Sequence, residues 1–263
     1  MKILKNIFRE YDIRGIYGKE LTDELAYHIG RAFGTKLIRQ KILSTVVAYD
    51  NRLSSVALEK NLVKGLIDTG IIVKRIGLAT TPMCYFAANY LETNSSMMIT
   101  ASHNPKEYNG FKFSYNGIHN AFGALITEIY DLIMQEDYEK GIGEIINEDI
   151  RNAYIDLVVN KLDFGPRKIK VIYDCGNGTG SIIAKDIFKR LPQIDAVGIY
   201  DESDGNFPNH HPDPCVEENL NFLKNKVQEE KADVGIGYDG DADRVGFIDE
   251  KGTFIEIDKF LAI

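Results

Sequence analysis

The feature that most constrains this chain is an internal echo. Residues 45–77, TVVAYDNRLSSVALEKNLVKGLIDTGIIVKRIG, and residues 168–201, KIKVIYDCGNGTGSIIAKDIFKRLPQIDAVGIYD, follow one layout. In each, a β-branched run ends in Tyr-Asp (Tyr49-Asp50 and Tyr173-Asp174) and a Ser-containing turn follows. About three turns of helical apolar spacing come next, and a second β-branched run closes the unit. A strand-turn-helix-strand unit used twice predicts two α/β domains, each a mixed sheet with flanking helices. A third run, Val234 to Tyr238, ends in the same dipeptide at Tyr238-Asp239. The acid after each strand therefore falls at the carboxyl edge of a sheet, which is where open α/β sheets bind ligands.

Local signals place the remaining pieces. A first helix starts near Thr22, whose hydroxyl can cap it, with Asp23 and Glu24 in the first turn and Leu25, Ile29, Ala32 and Phe33 as the buried stripe. The acidic, glycine-punctuated run 136–149, EDYEKGIGEIINED, reads as a linker, which puts the domains at 1–148 and 149–254. Residues 255–263 begin a helical pattern that stops after barely two turns, and they are expected to start a truncated third domain. Between 202 and 214, ESDGNFPNHHPDP holds three prolines and two adjacent histidines, a composition that excludes helix and central strand and leaves an ordered or functional loop.

Composition narrows the chemistry by exclusion. With 31 Lys+Arg against 39 Asp+Glu the net charge is −8, which argues against a generic nucleic-acid or anionic-membrane surface, so any phosphate must be met locally. Cys84, Cys175 and Cys215 are odd in number, far apart and without a C-x-x-C spacing, so neither a disulfide framework nor a zinc site is expected and a reducing cytoplasm fits. No stretch approaches 18 consecutive apolar residues, and the N-terminal run breaks into charges at once, so no membrane span or signal peptide is expected.

Two segments carry the densest chemistry. Thr100-Ala101-Ser102-His103-Asn104-Pro105 follows the apolar run Met97-Met98-Ile99, and Pro105 keeps Asn104 out of helical dihedrals, so Ser102 and His103 are expected on an exposed, rigid bend. A lone serine in such a loop is ordinarily a cap or turn residue. Asp239-Gly240-Asp241-Ala242-Asp243-Arg244 follows a strand, and in extended chain its three carboxylates point one way and can converge on a hard cation. Three carboxylates without a dedicated cage suit Mg²⁺ better than buried Ca²⁺. An EF-hand reading fails because Arg244 stands where the loop requires glycine and both flanks read as strand. Gly176-Asn177-Gly178-Thr179-Gly180 opens a helix after a strand, but a dinucleotide fingerprint needs glycine at Ser181, so it reads as a tight turn. His210 and His211 are neighbours whose side chains point apart and read as satisfied loop residues, and His28 and His119 as surface or packing residues.

In the order F-R-E-Y-D-I-R-G (8–15), T-A-S-H-N-P (100–105), G-N-G-T-G (176–180) and D-G-D-A-D-R (239–244), the chain resembles the α-D-phosphohexomutase family. Thr100 and the run 204–214 are most similar to its phosphomannomutase/phosphoglucomutase branch. The resemblance implies that Ser102 carries a phosphoryl group and that Asp239, Asp241 and Asp243 bind Mg²⁺ together with an oxygen of that phosphoserine. It also implies that Arg14, Lys112 and Arg244 are cationic active-site residues, with His103 and Lys112 as candidates for orienting the serine loop and moving protons at the sugar hydroxyl. The implied reaction interconverts hexose 1- and 6-phosphates of glucose and mannose, with glucose or mannose 1,6-bisphosphate as activator and intermediate.

The resemblance spans essentially the whole chain but only the first two of the family's four domains. The sugar-recognition G-E-x-S-G-H and phosphate-gripping R-x-S-x-T loops of domains three and four are not in the sequence. The expectation is the phosphoserine and metal half of a cytoplasmic phosphohexomutase, incomplete by itself. The alternative is a non-catalytic module that binds Mg²⁺ and phosphate.

Overall fold

The computed structural model describes residues 3–115, 119–120 and 122–261, excepting the side chains of residues 119, 120 and 261. The expected packing role of His119 and the apolar pattern at Ile263 lie outside the described residues. Contacts group Met1–Ala101 with Pro105–Ile150 in one unit, and Ser102–Asn104 with Arg151–Ile263 in a second.

The first unit runs β1 (Ile13–Ile16), α1 (Asp23–Arg39), β2 (Ser44–Tyr49), α2 (Ser55–Ile67), β3 (Ile72–Leu78), α3 (Thr81–Tyr90), β4 (Ser95–Ile99), β5 (Tyr108–Tyr115), β6 (His119–Asn120), α4 (Ala124–Gln135) and β7 (Ile145–Asn147). Its sheet has the order β1-β5-β4-β2-β3-β7, with β6 added to β5. Strands β4, β2, β3 and β7 pair in parallel, and β5 turns the sheet mixed by pairing antiparallel with both β1 and β4. Thr22 caps α1 as its sequence requires, accepting the Leu25 amide at 3.1 Å, and Leu25, Ile29, Ala32 and Phe33 are buried. Their stripe meets Ile13, Met97, Ile99, Phe111 and Phe113 in one apolar core.

The second unit runs α5 (Arg151–Lys161), β8 (Ile169–Asp174), α6 (Ala184–Lys189), β9 (Ile194–Ile199), α7 (Asn221–Glu230), β10 (Val234–Tyr238), β11 (Val245–Asp249), β12 (Phe254–Ile255) and α8 (Ile257–Leu261). Its sheet order is β12-β11-β10-β8-β9, parallel across β10, β8 and β9 and antiparallel beyond. The core is smaller, formed by Ile172, Leu220, Leu223, Val227 and Ile248 under α7. Both sheets are mixed and flanked by helices, as the echo predicts, and both echo units close with parallel strands.

Two local expectations are corrected. The run 136–149 is not a free linker, because Ile145–Asn147 forms the edge strand β7 along β3, and Gly143 N donates to Ile67 O at 2.8 Å. β7 itself is Ile-Ile-Asn with all three residues exposed, and the acids of the run lie on either side of it. The helix of the second echo is also shorter than its pattern suggests. A 3₁₀ turn at Thr179–Ile182 precedes the six residues of α6, and the backbone breaks between them at Ile183, φ −132°, while the Thr179 amide bonds to Gly240 O at 2.9 Å.

Candidate functional site

The aspartate loop is the connection of a hairpin. β10 and β11 are antiparallel with Tyr238 opposite Val245, so residues 239–244 close the hairpin at the sheet's carboxyl edge. The carboxylates do not converge through the alternation of extended chain. The loop curls instead: Ala242 takes a left-handed φ of 58°, its amide bonds to Asp239 O at 3.1 Å, and Asp239 Oδ1 accepts the amides of Asp243 and Arg244 at 3.0 and 3.2 Å. One ligand oxygen from each of Asp239, Asp241 and Asp243 then lies within 4.8 Å of the others, and no other such metal-competent cluster occurs among the described residues. Asp239 and Asp241 are fully buried and Asp243 is exposed, so the cluster has a dry floor and an open side.

The electrostatics of that cluster call for a cation. Burial, followed by the charges of Asp241 and Asp243, pushes the Asp239 carboxyl up to about 8, against the lowering effect of the Ser102 hydroxyl. A divalent ion among three hard oxygen donors reverses this balance, so the residues fit the metal the sequence suggests.

Ser102 meets this cluster directly. It belongs by contact to the second unit, its Oγ donates to Asp239 Oδ2 at 2.7 Å, and His103 Nδ1 lies 3.4 Å from Ser102 Oγ. The expected exposed bend is corrected here: Ser102 is 0% exposed, with φ 53°, because Asp239 covers its hydroxyl and Gly240 lies against its carbonyl. Arg244 is exposed at the end of the loop, and its carbonyl accepts the Asp239 amide at 3.3 Å.

Arg14 and Lys112 belong to the first unit, and register relates them. Arg14 on β1 stands opposite Gly110 on β5, and Lys112 is two residues further along β5, so both side chains leave the same face of the sheet as diagonal neighbours. Arg14 is 7% exposed and pairs with Asp12 Oδ2 at 2.6 Å. The Lys112 charge is felt at Cys84, whose thiol burial pushes up to about 12.

Family models for phosphoglucomutase/phosphomannomutase match the chain twice, alpha/beta/alpha domain I over residues 5–140 and alpha/beta/alpha domain II over residues 152–252. The chain belongs to this family. It is 42% identical over 258 residues to a phosphomannomutase/phosphoglucomutase of Pseudomonas aeruginosa, covering 98% of this chain and 55% of that protein. With a phosphoglucomutase of Neisseria gonorrhoeae it shares 40% over 263 residues, covering 99% of this chain and 56% of the relative. A crystal structure of a phosphoglucomutase/phosphomannomutase family protein from Burkholderia thailandensis superimposes with a TM-score of 0.93 at 37% identity, over 98% of this chain and 57% of the other. The chain thus spans about half the length of the relatives it matches.

Several residues that shape the site escape a sequence reading. Arg52 is buried, pairs with Asp50 at 3.1 Å, and donates to the carbonyls of Pro105 and Tyr108 at 2.7 and 3.1 Å, on the chain leaving the serine loop. His210 bonds Asp174 at 3.1 Å, which bears out its reading as a satisfied loop histidine. Thr179 reaches the aspartate loop itself. The available signals were Arg52 two residues after a strand-end aspartate, and a hydroxyl inside a glycine-rich turn.

Proposed function

We propose that this chain is the phosphoserine and metal half of a phosphomannomutase/phosphoglucomutase, which interconverts hexose 1- and 6-phosphates of glucose and mannose through a hexose 1,6-bisphosphate. The observation that carries the reading is the 2.7 Å hydrogen bond from Ser102 Oγ to Asp239, a member of the acidic cluster. Asp239, Asp241 and Asp243, with an oxygen on Ser102, would hold Mg²⁺. Bound there, the ion would supply neutralising charge to a phosphoserine of about −1.5 to −2.

Phosphoryl transfer is mostly positioning and charge neutralisation. The P–O bond to Ser102 breaks as a bond from the sugar hydroxyl to phosphorus forms. The hydroxyl proton leaves by way of His103 or Lys112, and the Ser102 oxygen returns to a hydroxyl that donates to Asp239. His103 Nδ1 beside Ser102 Oγ supports its part in proton movement. Arg14, Lys112 and Arg244 supply fixed positive charge for the phosphate groups. The resulting bisphosphate turns over and returns its other phosphoryl group to Ser102.

Sugar recognition and the grip on the distal phosphate belong to domains three and four in this reading. Proximity worth roughly 7–11 kcal/mol is then largely missing from this chain alone. Three free cysteines support a cytoplasmic setting, and no described helix is long and apolar enough to cross a membrane.

A coupled assay with glucose 1-phosphate and mannose 1-phosphate tests the division of labour. Sustained turnover is expected from a full-length relative and not from this chain. Turnover by the chain at a comparable rate contradicts the reading, and Mg²⁺ and phosphate binding without any phosphorylation of Ser102 favours the non-catalytic module.

A further inference from the structure

The turn Gly176–Gly180 has the layout of a phosphate cradle, yet the amides of residues 176–179 are already used. Gly176 N bonds Asp174 Oδ1 at 2.7 Å, Asn177 N bonds Tyr200 O at 2.9 Å, Gly178 N bonds Cys175 O at 2.7 Å and Thr179 N bonds Gly240 O at 2.9 Å. A phosphate has no free row of donors here, so the turn needs another purpose.

Gly240 supplies it. This residue separates Asp239 from Asp241, and its carbonyl accepts twice from Thr179, from the amide and from Oγ1 at 3.0 Å. The Gly178 backbone presses on the same peptide so closely that a Cβ there would lie 2.8 Å from Gly240 O and 2.9 Å from its Cα. On its other side, a Cβ on Gly240 would lie 2.5 Å from Ser102 O. The peptide between two carboxylate-bearing residues is therefore gripped between the glycine-rich turn and the serine backbone. The turn is itself anchored: Asn177, at φ 58°, donates through Nδ2 to Glu202 O at 2.9 Å and accepts from Asn209 at 2.7 Å. Thr179 is 0% exposed, so water does not replace its hydroxyl if it is removed.

We propose that Thr179 is a positioning residue for the metal loop: its hydroxyl fixes the Gly240 peptide and thereby sets the spacing of Asp239 and Asp241. The proposal rests on the reading of that loop as the Mg²⁺ site. Metal sites hold their ligand distances to within about 0.2 Å, and loss of a group that orients ligands typically costs 10–100-fold in affinity.

The test is a calorimetric Mg²⁺ titration of this chain and its variants, paired with urea unfolding in the absence of metal. Thr179→Val keeps the shape and removes the donor, and about tenfold weaker binding is expected. Thr179→Ser keeps the donor and is expected to bind within about twofold of the native chain, a rescue that a merely structural role would not produce. Gly178→Ala, which pushes a methyl group against the Gly240 peptide, is expected to weaken binding as well and decides the matter if Thr179→Val does not fold. Native Mg²⁺ affinity in a folded Thr179→Val, or equal loss in the Ser and Val variants, overturns the positioning role. Absence of Mg²⁺ binding by the native chain overturns instead the metal-site reading beneath it.

Discussion

The turns after β2 and β8 start alike and are secured differently. Both begin at a strand-end aspartate that is 1% exposed, Asp50 and Asp174. Asp50 accepts the amide of Arg52 at 3.0 Å, the guanidinium at 3.1 Å and the Ser55 hydroxyl at 2.6 Å. Arg52 Nη1 then donates to the carbonyls of Pro105 and Tyr108. Asp174 accepts the Gly176 amide and His210 Nε2, and the glycine-rich turn beyond it grips the aspartate loop. The first turn is held by a permanent charge, and the second by a titratable one. A repeated strand-turn-helix-strand unit can thus brace a serine-bearing loop in one copy and a carboxylate loop in the other through the different residues of its first turn.

The largest effect is expected at Arg52. Arg52→Ala leaves the Asp50 carboxylate buried and uncompensated, a change that costs about 3–5 kcal/mol. Arg52→Lys recovers only part of it, since an ammonium cannot reproduce the guanidinium fork. Urea unfolding measures both, and a loss below about 1 kcal/mol for the alanine variant would mean that the pair is not the brace described.

Asp241→Asn is expected to act oppositely, leaving the fold intact while weakening Mg²⁺ on the order of a hundredfold, because one of three converging hard ligands loses its charge. Asp50→Asn is expected to lower stability with little change in Mg²⁺ affinity. Paired unfolding and calorimetric titrations of both variants check this separation, and full Mg²⁺ affinity in Asp241→Asn would make the loop an ordinary acidic turn.

His210 gives the smallest and most pH-sensitive effect. Its Nδ1 faces the His211 carbonyl at 2.9 Å and its Nε2 faces Asp174, so only the protonated ring donates to both. Burial pulls its pKa down, but the hydrogen bond and charge of Asp174 outweigh burial and hold it above the ordinary histidine value; the Tyr200 ring packs at 5.4 Å. A raised folded-state value means that its stabilisation is complete below about pH 6.5 and is lost as pH rises through the folded value. His210→Gln is expected to cost about 1.5–3 kcal/mol at pH 6 and less at pH 8. Unfolding at both pH values checks the sign, and an equal loss at both would place the histidine there as a neutral group.

Much of the architecture was legible because it is local. Alternation and helical spacing mark the echo units, and a threonine before two acids marks the cap of α1. The acidic cluster was legible as a spacing, although a curled hairpin loop, not extended chain, brings its oxygens together. What escaped depends on partners far along the chain. Ser102 and Asp239 are separated by 137 positions, and no local rule predicts that the serine is covered. β7 forms only because β3 offers an edge, so its residues alone read as linker. Arg52 and Thr179 look like turn residues until the carbonyls they hold are known.

The most direct measurement of the proposed function is phosphorylation of the serine itself. The full-length enzyme of which this chain is proposed to be half, incubated with glucose 1,6-bisphosphate and Mg²⁺ and read by intact mass and peptide mapping, is predicted to gain one phosphoryl group on Ser102, absent in Ser102→Ala and reduced in Asp241→Asn. A phosphoryl group mapped to another residue, or none on the folded full-length enzyme with Mg²⁺ bound, would contradict the assignment of Ser102 as the phosphoryl carrier.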